Sequence, residues 1–540
     1  MRPHAHRALG PALLAALTAA AWGQQAPKPQ PQPYTFSATT RLVQINVVVD
    51  SAHGPVAGVQ ASDFSLTDNG ARREVQFFSA DAGPMPASPA AATPAVAPVT
   101  TAVASLTAPT ASFTNALPRS ANMVVVLLDA LNSADGTDYV AGLPGWSSAQ
   151  SLAQARQGAI RFLEKLPPGV DVALYALDSQ LHVLADFTSN KDRLLAAVRQ
   201  YKPTPVQHAD IGAEANSGNA RMDAHDDAAS RVRAGQVASI HAEATAPALR
   251  AIADHLAGVP GRISLVWIMT RPPFSGSFVE AALGRDNIAV YPMDARGLMT
   301  WALQFTADYA HGFSSVAHTT PSGLPQFDDI ARQTGGRAFT NTNDFAGAFA
   351  TAATESEISY TLGFYVPASA LDGKFHQIRV HVTGSHLDAR YAHGYWATPD
   401  AAPRPQSWGK ITATLGRALG SPLDDSSVPL TARLTPASPG LLLRATAGIG
   451  RMSMATAGGR RRGEIVIETV VQDTAGSTVG FSRHTLNWNW TEAQYRQHLR
   501  TGIQFAQMIV PAADGVRLRV LVEDADSAAV GSLTLPLPTH

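Results

Sequence analysis

Carboxylates and hydroxyls at the ends of apolar runs are the residues of this 540-residue chain whose types and spacing suit chemistry. Asp129 ends the run Met123 to Leu128 and is followed by Asn132 and Ser133. Asp294 ends a second run, Asn287 to Met293, with Arg296 just beyond it, and Thr270 and Arg271 follow a third, Arg262 to Met269. An apolar, β-branched run of this length suits a strand buried on both faces of a parallel sheet. Its terminal aspartate then stands at the carboxyl edge of the sheet, where open α/β folds bind ligands. Asp129 there can cap a helix or accept from loop amides. Asp294 is expected to pin the loop that carries Arg296.

Other chemistries lack their residues. The chain has no cysteine, which excludes disulfides, thiolate metal sites and cysteine nucleophiles. It has no His-Glu-x-x-His, no Gly-x-Ser-x-Gly elbow and no phosphate loop. A hydrolase built on Asp129 and Asp294 has no accompanying nucleophile and base at a recognisable spacing, so no catalytic residue is assigned. His376, His381 and His386 are expected to be solvated. Trp488 and Trp490 are expected to pack in a core or at a strand edge rather than to form a carbohydrate platform. With 41 basic and 42 acidic residues the net charge is −1, so no long-range field favours nucleic acid. The basic cluster Arg460 to Arg462 reads as a solvated hairpin tip.

The elements that position these groups follow from composition and period. Residues 1–23, with Arg2, Arg7 and an Ala-Leu stretch, read as a secretory signal peptide, which predicts a periplasmic or secreted protein. No transmembrane segment is expected after cleavage, and without a cysteine no lipid anchor is expected either. A Pro/Gln tether (24–33) leads to an N-terminal β module (34–79), in which Val43, Ile45, Val47 and Val49 share one face. Residues 80–120 are an Ala/Pro/Thr linker. Residues 121–366 alternate strand and helix, which predicts a doubly wound parallel sheet, with a polar inserted loop at 207–233 and a last strand at Tyr360 to Tyr365. A β hairpin extension (367–398), a linker (399–406) and an all-β, sandwich-like domain (407–540) complete the chain.

Several fragments resemble an exported, acidobacterial-type family of von Willebrand factor A (VWFA) related proteins. They are LVQINVVV and DFSLTDNG, LLDALNS, GVPGR before LVWIM, AVYPMDARGL, ARQTGGRAF, and YTLGFYVP with its following strands, spanning Arg41 to Ala397. The resemblance implies a Rossmann-like α/β domain used for adhesion or assembly, with no known reaction. It also implies a site for Mg²⁺ or Mn²⁺, whose first loop reads Asp-x-Ser-x-Ser and whose hard cation takes oxygen ligands. Here Asp129 and Ser133 match, Leu131 replaces the first serine, Asn132 offers an amide, and Thr245 stands for the second-loop threonine. Thr270 and Arg271 stand where the third-loop aspartate belongs. The resulting metal set is degenerate: Asp129, Asn132, Ser133 and Thr245. The expected function is non-enzymatic binding of a protein partner at the sheet's carboxyl edge, through Asp129, Ser133, Thr270, Arg271, Asp294 and Arg296. The alternative is a metal-free scaffold whose β modules make the contacts.

Overall fold

The computed structural model describes residues 40–82, 112–118, 123–133, 148–166, 169–202, 241–259, 261–270, 272, 276–283, 287–298, 324–397 and 413–538. The expected signal peptide, the tether, the linker at 399–406 and the polar loop at 207–233 lie outside the described residues.

A five-stranded sheet forms the centre, in the order Ile288–Asp294, Ile263–Met269, Met123–Asp129, Asp171–Leu177, Leu181–Thr188. The first four strands are mutually parallel, and Leu181–Thr188 runs antiparallel at the edge. All seven residues of Met123–Asp129 are buried. Its Val124, Val126 and Leu128 face the helices Ser148–Glu164, Lys191–Gln200 and Phe345–Glu357. Val125 and Leu127 face the helix over 241–256 and the helices Gly276–Leu283 and Leu324–Thr334. This two-sided burial explains why the run is apolar without alternation, and truncating Leu127 or Leu128 to alanine would cost about 2 to 5 kcal/mol. From its central strand the chain first builds one half of the sheet and then crosses to the other. The topological switch point therefore lies between Met123–Asp129 and Ile263–Met269.

The ends of the α/β region depart from the expected boundaries. Ile358–Pro367, which contains Tyr360 to Tyr365, does not join the parallel sheet; it pairs antiparallel with Thr40–Ser51 and with Phe77–Ala82. Asp388–Tyr391 also pairs with Thr40–Ser51, whereas Phe375–Val382 pairs with Phe64–Asp68 and Gly394–Trp396. The expected N-terminal module and hairpin extension are thus two halves of one two-sheet β module, and the α/β domain is inserted between them. Val43, Ile45, Val47 and Val49 fill its core with Leu362, Phe364 and Ile378. His376 is buried there at 9% exposure, contrary to the solvated position expected, and its Nδ1 donates to Asp68 Oδ1 at 2.8 Å.

Two more corrections concern the C-terminal module. Ser112–Thr114, inside the expected linker, is a strand that pairs with Leu430–Ala437, held by Asn115, whose Nδ2 donates to the carbonyls of Asp425 and Val428. The module is not all β: Ala413–Gly420 and Glu492–Thr501 are helices. The second is started by a capping box, in which Thr491 Oγ1 accepts from Gln494 N and Gln494 Oε1 accepts from Thr491 N. Trp488 and Trp490 stack at 4.6 Å and pack against this module's core, as expected of a packing role.

Both β modules grip the amino edge of the central sheet. On one side Glu355, buried at the end of its helix, accepts from Tyr291 Oη at 2.6 Å and Arg390 Nη1 at 2.6 Å, and Arg390 also donates to Asp50. Burial raises the Glu355 carboxyl pKa, but the Arg390 guanidinium outweighs it and holds the group below its ordinary value. On the other side the C-terminal module caps the helix over 241–256. Arg451 donates to the carbonyls of Ala257 and Gly258 at 2.6 and 2.7 Å, and Ser426 N donates to Asp254 O at 3.2 Å. A Cβ on Gly258 would meet Ser426 Oγ at 2.6 Å, so the close approach needs glycine.

His255 sits in that contact with an acceptor at each ring nitrogen: Nδ1 donates to Asp424 O at 2.6 Å and Nε2 to Asp186 Oδ1 at 3.3 Å. Burial opposes the charged form, but the Asp186 carboxylate and the Asp424 carbonyl outweigh it and hold the imidazole above its ordinary pKa. Such a group stabilises fully below the unfolded pKa of 6.5, and its contribution is lost as pH rises through the folded value. The thermal midpoint of the wild type should therefore fall more between pH 6 and pH 9 than that of His255→Gln. Equal pH slopes for the two proteins would show that the imidazole carries no charge in the contact.

Candidate functional site

At the switch point five side chains converge. Asp129 ends the central strand at 0% exposure. The chain turns at once into a 3₁₀ turn, Leu131–Ser133, which brings Asn132 back over the carboxylate. Asp129 Oδ1 accepts from Asn132 N at 2.8 Å; Oδ2 accepts from Asn132 Nδ2 at 2.6 Å and from Trp267 Nε1 at 2.7 Å. Asn132 Nδ2 also donates to Thr245 Oγ1 at 3.0 Å, and Thr270 Oγ1 donates to Asn132 O at 3.1 Å. Among the described residues Asn132 Oδ1 is buried without a hydrogen-bond partner. One loop, the start of one helix and the neighbouring strand are thus tied through a single carboxylate and a single amide.

The electrostatics follow from the burial. Taking Asp129 out of water raises its pKa from 3.8 to about 6, against the hydrogen bonds from Asn132, Trp267 and the backbone, which lower it. The hydrogen bonds limit the desolvation penalty without cancelling it.

A divalent cation does not fit this arrangement, although the resemblance implies one. A hard cation needs oxygen atoms turned toward it. Here N–H donors face both Asp129 oxygens, and the Asn132 amide nitrogen bridges Asp129 and Thr245, where a cation would have to lie to touch both. Asn132 is therefore a donor and not the oxygen ligand proposed from the sequence. Leu131 is buried in the core beneath the helix over 241–256 and supplies no ligand. The Ser133 side chain and Arg271 lie outside the described residues.

The second carboxylate stands apart. Asp294 Oδ1 accepts from Arg296 N at 2.9 Å and from Nε at 2.9 Å, and Oδ2 accepts from Nη2 at 2.8 Å. This bidentate pair pins the turn after Ile288–Asp294. The next edge position is a single parallel bridge, Met293 to Phe339, in which Phe339 N donates to Pro292 O and Asp294 N to Phe339 O. Gly336 makes that approach possible, since a Cβ there would meet Val290 O at 1.8 Å. Of the candidate residues, Asp129, Asn132, Thr245 and Thr270 come together, while Asp294 and Arg296 form their own pair. Sequence reasoning missed Trp267, and its type was the available signal: a buried tryptophan needs an acceptor for its ring N–H.

No family model matches the sequence, and no curated protein matches it. Solved structures do align with the chain. The vWF domain of the type V pili tip protein Mfa5 from Porphyromonas gingivalis is 17% identical with a TM-score of 0.18, over 28% of this chain and 39% of that one. The conserved hypothetical protein BatB from Bacteroides thetaiotaomicron is 12% identical with a TM-score of 0.25, over 44% of this chain and 98% of that one. A von Willebrand factor type A protein from Catenulispora acidiphila is 9% identical with a TM-score of 0.26, over 72% and 74%. This chain spans about two fifths of the pili tip domain's length, and similarities of this size carry no argument about activity or partner.

The Asp129 geometry has a pH signature. The folded protein keeps this proton up to about pH 6, whereas the unfolded chain releases it near 3.8. The group's contribution to stability therefore falls as pH rises from about 4 to about 6, by up to roughly 3 kcal/mol. In urea denaturation across that range, the stability of the wild type relative to Asp129→Ala should shrink as pH rises. A difference that stays constant with pH contradicts this reading.

Proposed function

We propose that this chain is an exported, non-enzymatic binding protein of the VWFA-related type, which engages a protein partner at the carboxyl edge of its central sheet without a metal ion. The observation that carries the reading is the polar cluster at the switch point. A buried carboxylate held by an amide, an indole and backbone N–H groups serves to position loops, and no nucleophile and base pair accompanies it among the described residues. The strand order supports the VWFA-related part, since it places that cluster at the crevice where such sheets bind ligands. The finer acidobacterial-type relationship rests on the sequence fragments. Export rests on residues 1–23, and among the described residues no helix is long and apolar enough to cross a membrane.

The partner surface follows from what is already occupied. Both β modules are bound at the amino edge, through Glu355 with Arg390 and through Ser426 and Arg451. The opposite edge carries Leu298, an exposed apolar residue (55%) four positions after Asp294, whose N–H is held by Asn343 Oδ1 at 2.9 Å. A photo-crosslinking residue at position 298 should capture a discrete protein from the envelope or secreted fraction, and one at Arg72 in the N-terminal module should not. Leu298→Asp should reduce capture at least about tenfold, the loss expected from about 1.4 kcal/mol of binding energy. Capture from position 72 alone would favour the alternative, a scaffold whose β modules make the contacts.

A further inference from the structure

The outer face of a sheet in the C-terminal module holds a separate concavity. The sheet runs Ile503–Ile509, Gly440–Ala447, Leu430–Ala437, Ser112–Thr114. Ala432, Leu443 and Ala445 turn inward to the core, so their neighbours Thr431, Arg433, Arg444 and Thr446 stand on the other face. Pairing register puts Ser112, Arg433, Arg444 and Ala506 in one row across the four strands, with Arg433 directly opposite Arg444. The next row brings Thr431, Thr446 and Gln504 alongside. These residues line a concavity of about 630 Å³.

Two like charges directly opposite one another across a strand pair are destabilising. Among the described residues no carboxylate relieves them. Neither guanidinium has an ion-pair or hydrogen-bond partner among the described residues, and the facing and diagonal positions hold hydroxyls, an amide, Ala506, Leu442 and Met508 rather than a carboxylate. An oxyanion placed between the two forks converts the repulsion into two charge-assisted contacts, for which the planar guanidinium is well shaped. The space is larger than one oxyanion requires and falls in the size range of small-molecule sites, about 300 to 1,000 Å³. The remaining polar wall, Ser112, Thr431, Thr446 and Gln504, offers donors and acceptors suited to hydroxyl groups.

We propose that this face binds an acidic saccharide, with its oxyanion held between Arg433 and Arg444 and its hydroxyls meeting Thr431, Thr446 and Gln504. The oxyanion is either a uronate carboxylate or a sulfate ester, which share the same recognition by the two forks. The site is independent of the carboxyl-edge surface, so either can fail alone.

The test titrates the full chain calorimetrically with trigalacturonate, a sulfated disaccharide, maltotriose and inorganic sulfate. The expected result is saturable binding of at least one acidic saccharide, with maltotriose and inorganic sulfate much weaker. The arm that binds identifies the oxyanion. Arg433→Gln and Arg444→Gln should each weaken that binding about tenfold or more, with a thermal midpoint no lower than wild type, because each relieves the like-charge pair. Arg433→Lys, which keeps the charge without the fork, should fall between. The proposal is overturned if neither acidic saccharide binds, if inorganic sulfate binds as tightly as the saccharides, or if binding survives both glutamine substitutions in folded protein.

Discussion

The amide nitrogen of Asn132, held between the Asp129 carboxylate and the Thr245 hydroxyl, fixes the carboxyl edge of the central sheet. Without it, Asp129 would keep only the N–H groups of Asn132 and Trp267, and the link from its carboxylate to Thr245 would be lost. Burying an unpaired carboxylate costs several kcal/mol, and a divalent cation is one way to satisfy such a group. An amide is another, with a different consequence: it satisfies the carboxylate from within the chain and leaves no open coordination position for a partner's acid. Trp267 adds a third N–H to the same carboxylate from the neighbouring strand, so the loop is locked to the sheet on which it sits.

That constraint acts together with the way the chain is threaded. The α/β domain enters and leaves through a β module that its own flanks complete, and the segment before it adds a strand to the module after it. Both modules contact the amino edge, where Glu355 gathers a tyrosine and an arginine and where the helix over 241–256 ends against Ser426 and Arg451. Buried networks of this kind are costly to break by removing one member, because the partners are left as unpaired charges or donors. The arrangement holds the domain at its amino edge, opposite the edge that carries Asp129, Thr270 and Leu298.

Much of the central sheet was legible because a strand buried on both faces must be apolar with little alternation, as Met123 to Leu128 is throughout and Ile263 to Met269 is apart from Ser264, whose hydroxyl donates to Ala352 O. The module boundaries were not, because the pairing of Thr40–Ser51 with Ile358–Pro367 joins segments far apart in the chain, and no local pattern encodes it. Ser112–Thr114 was hidden for a related reason: three residues at the end of an Ala/Pro/Thr-rich stretch become a strand only because Leu430–Ala437 offers an edge. At the edge, four residues singled out from the sequence, Asp129, Asn132, Thr245 and Thr270, lie together, and the amide of Asn132 faces Asp129 with its donor rather than its oxygen. An amide carries both a donor and an acceptor, and which one faces Asp129 is decided by Trp267 and Thr245, whose placement is tertiary. His376 was misjudged similarly, because the carboxylate that buries it comes from another strand.

The most direct test is calorimetric titration of the folded, metal-stripped protein with Mg²⁺ and Mn²⁺, beside an Asn132→Ala variant that empties the space between Asp129 and Thr245. The account predicts no saturable heat and no change of thermal midpoint for the wild type with either ion. Saturable binding by the wild type that is abolished in Asp129→Ala would contradict it, since the carboxylate would then be a working metal ligand.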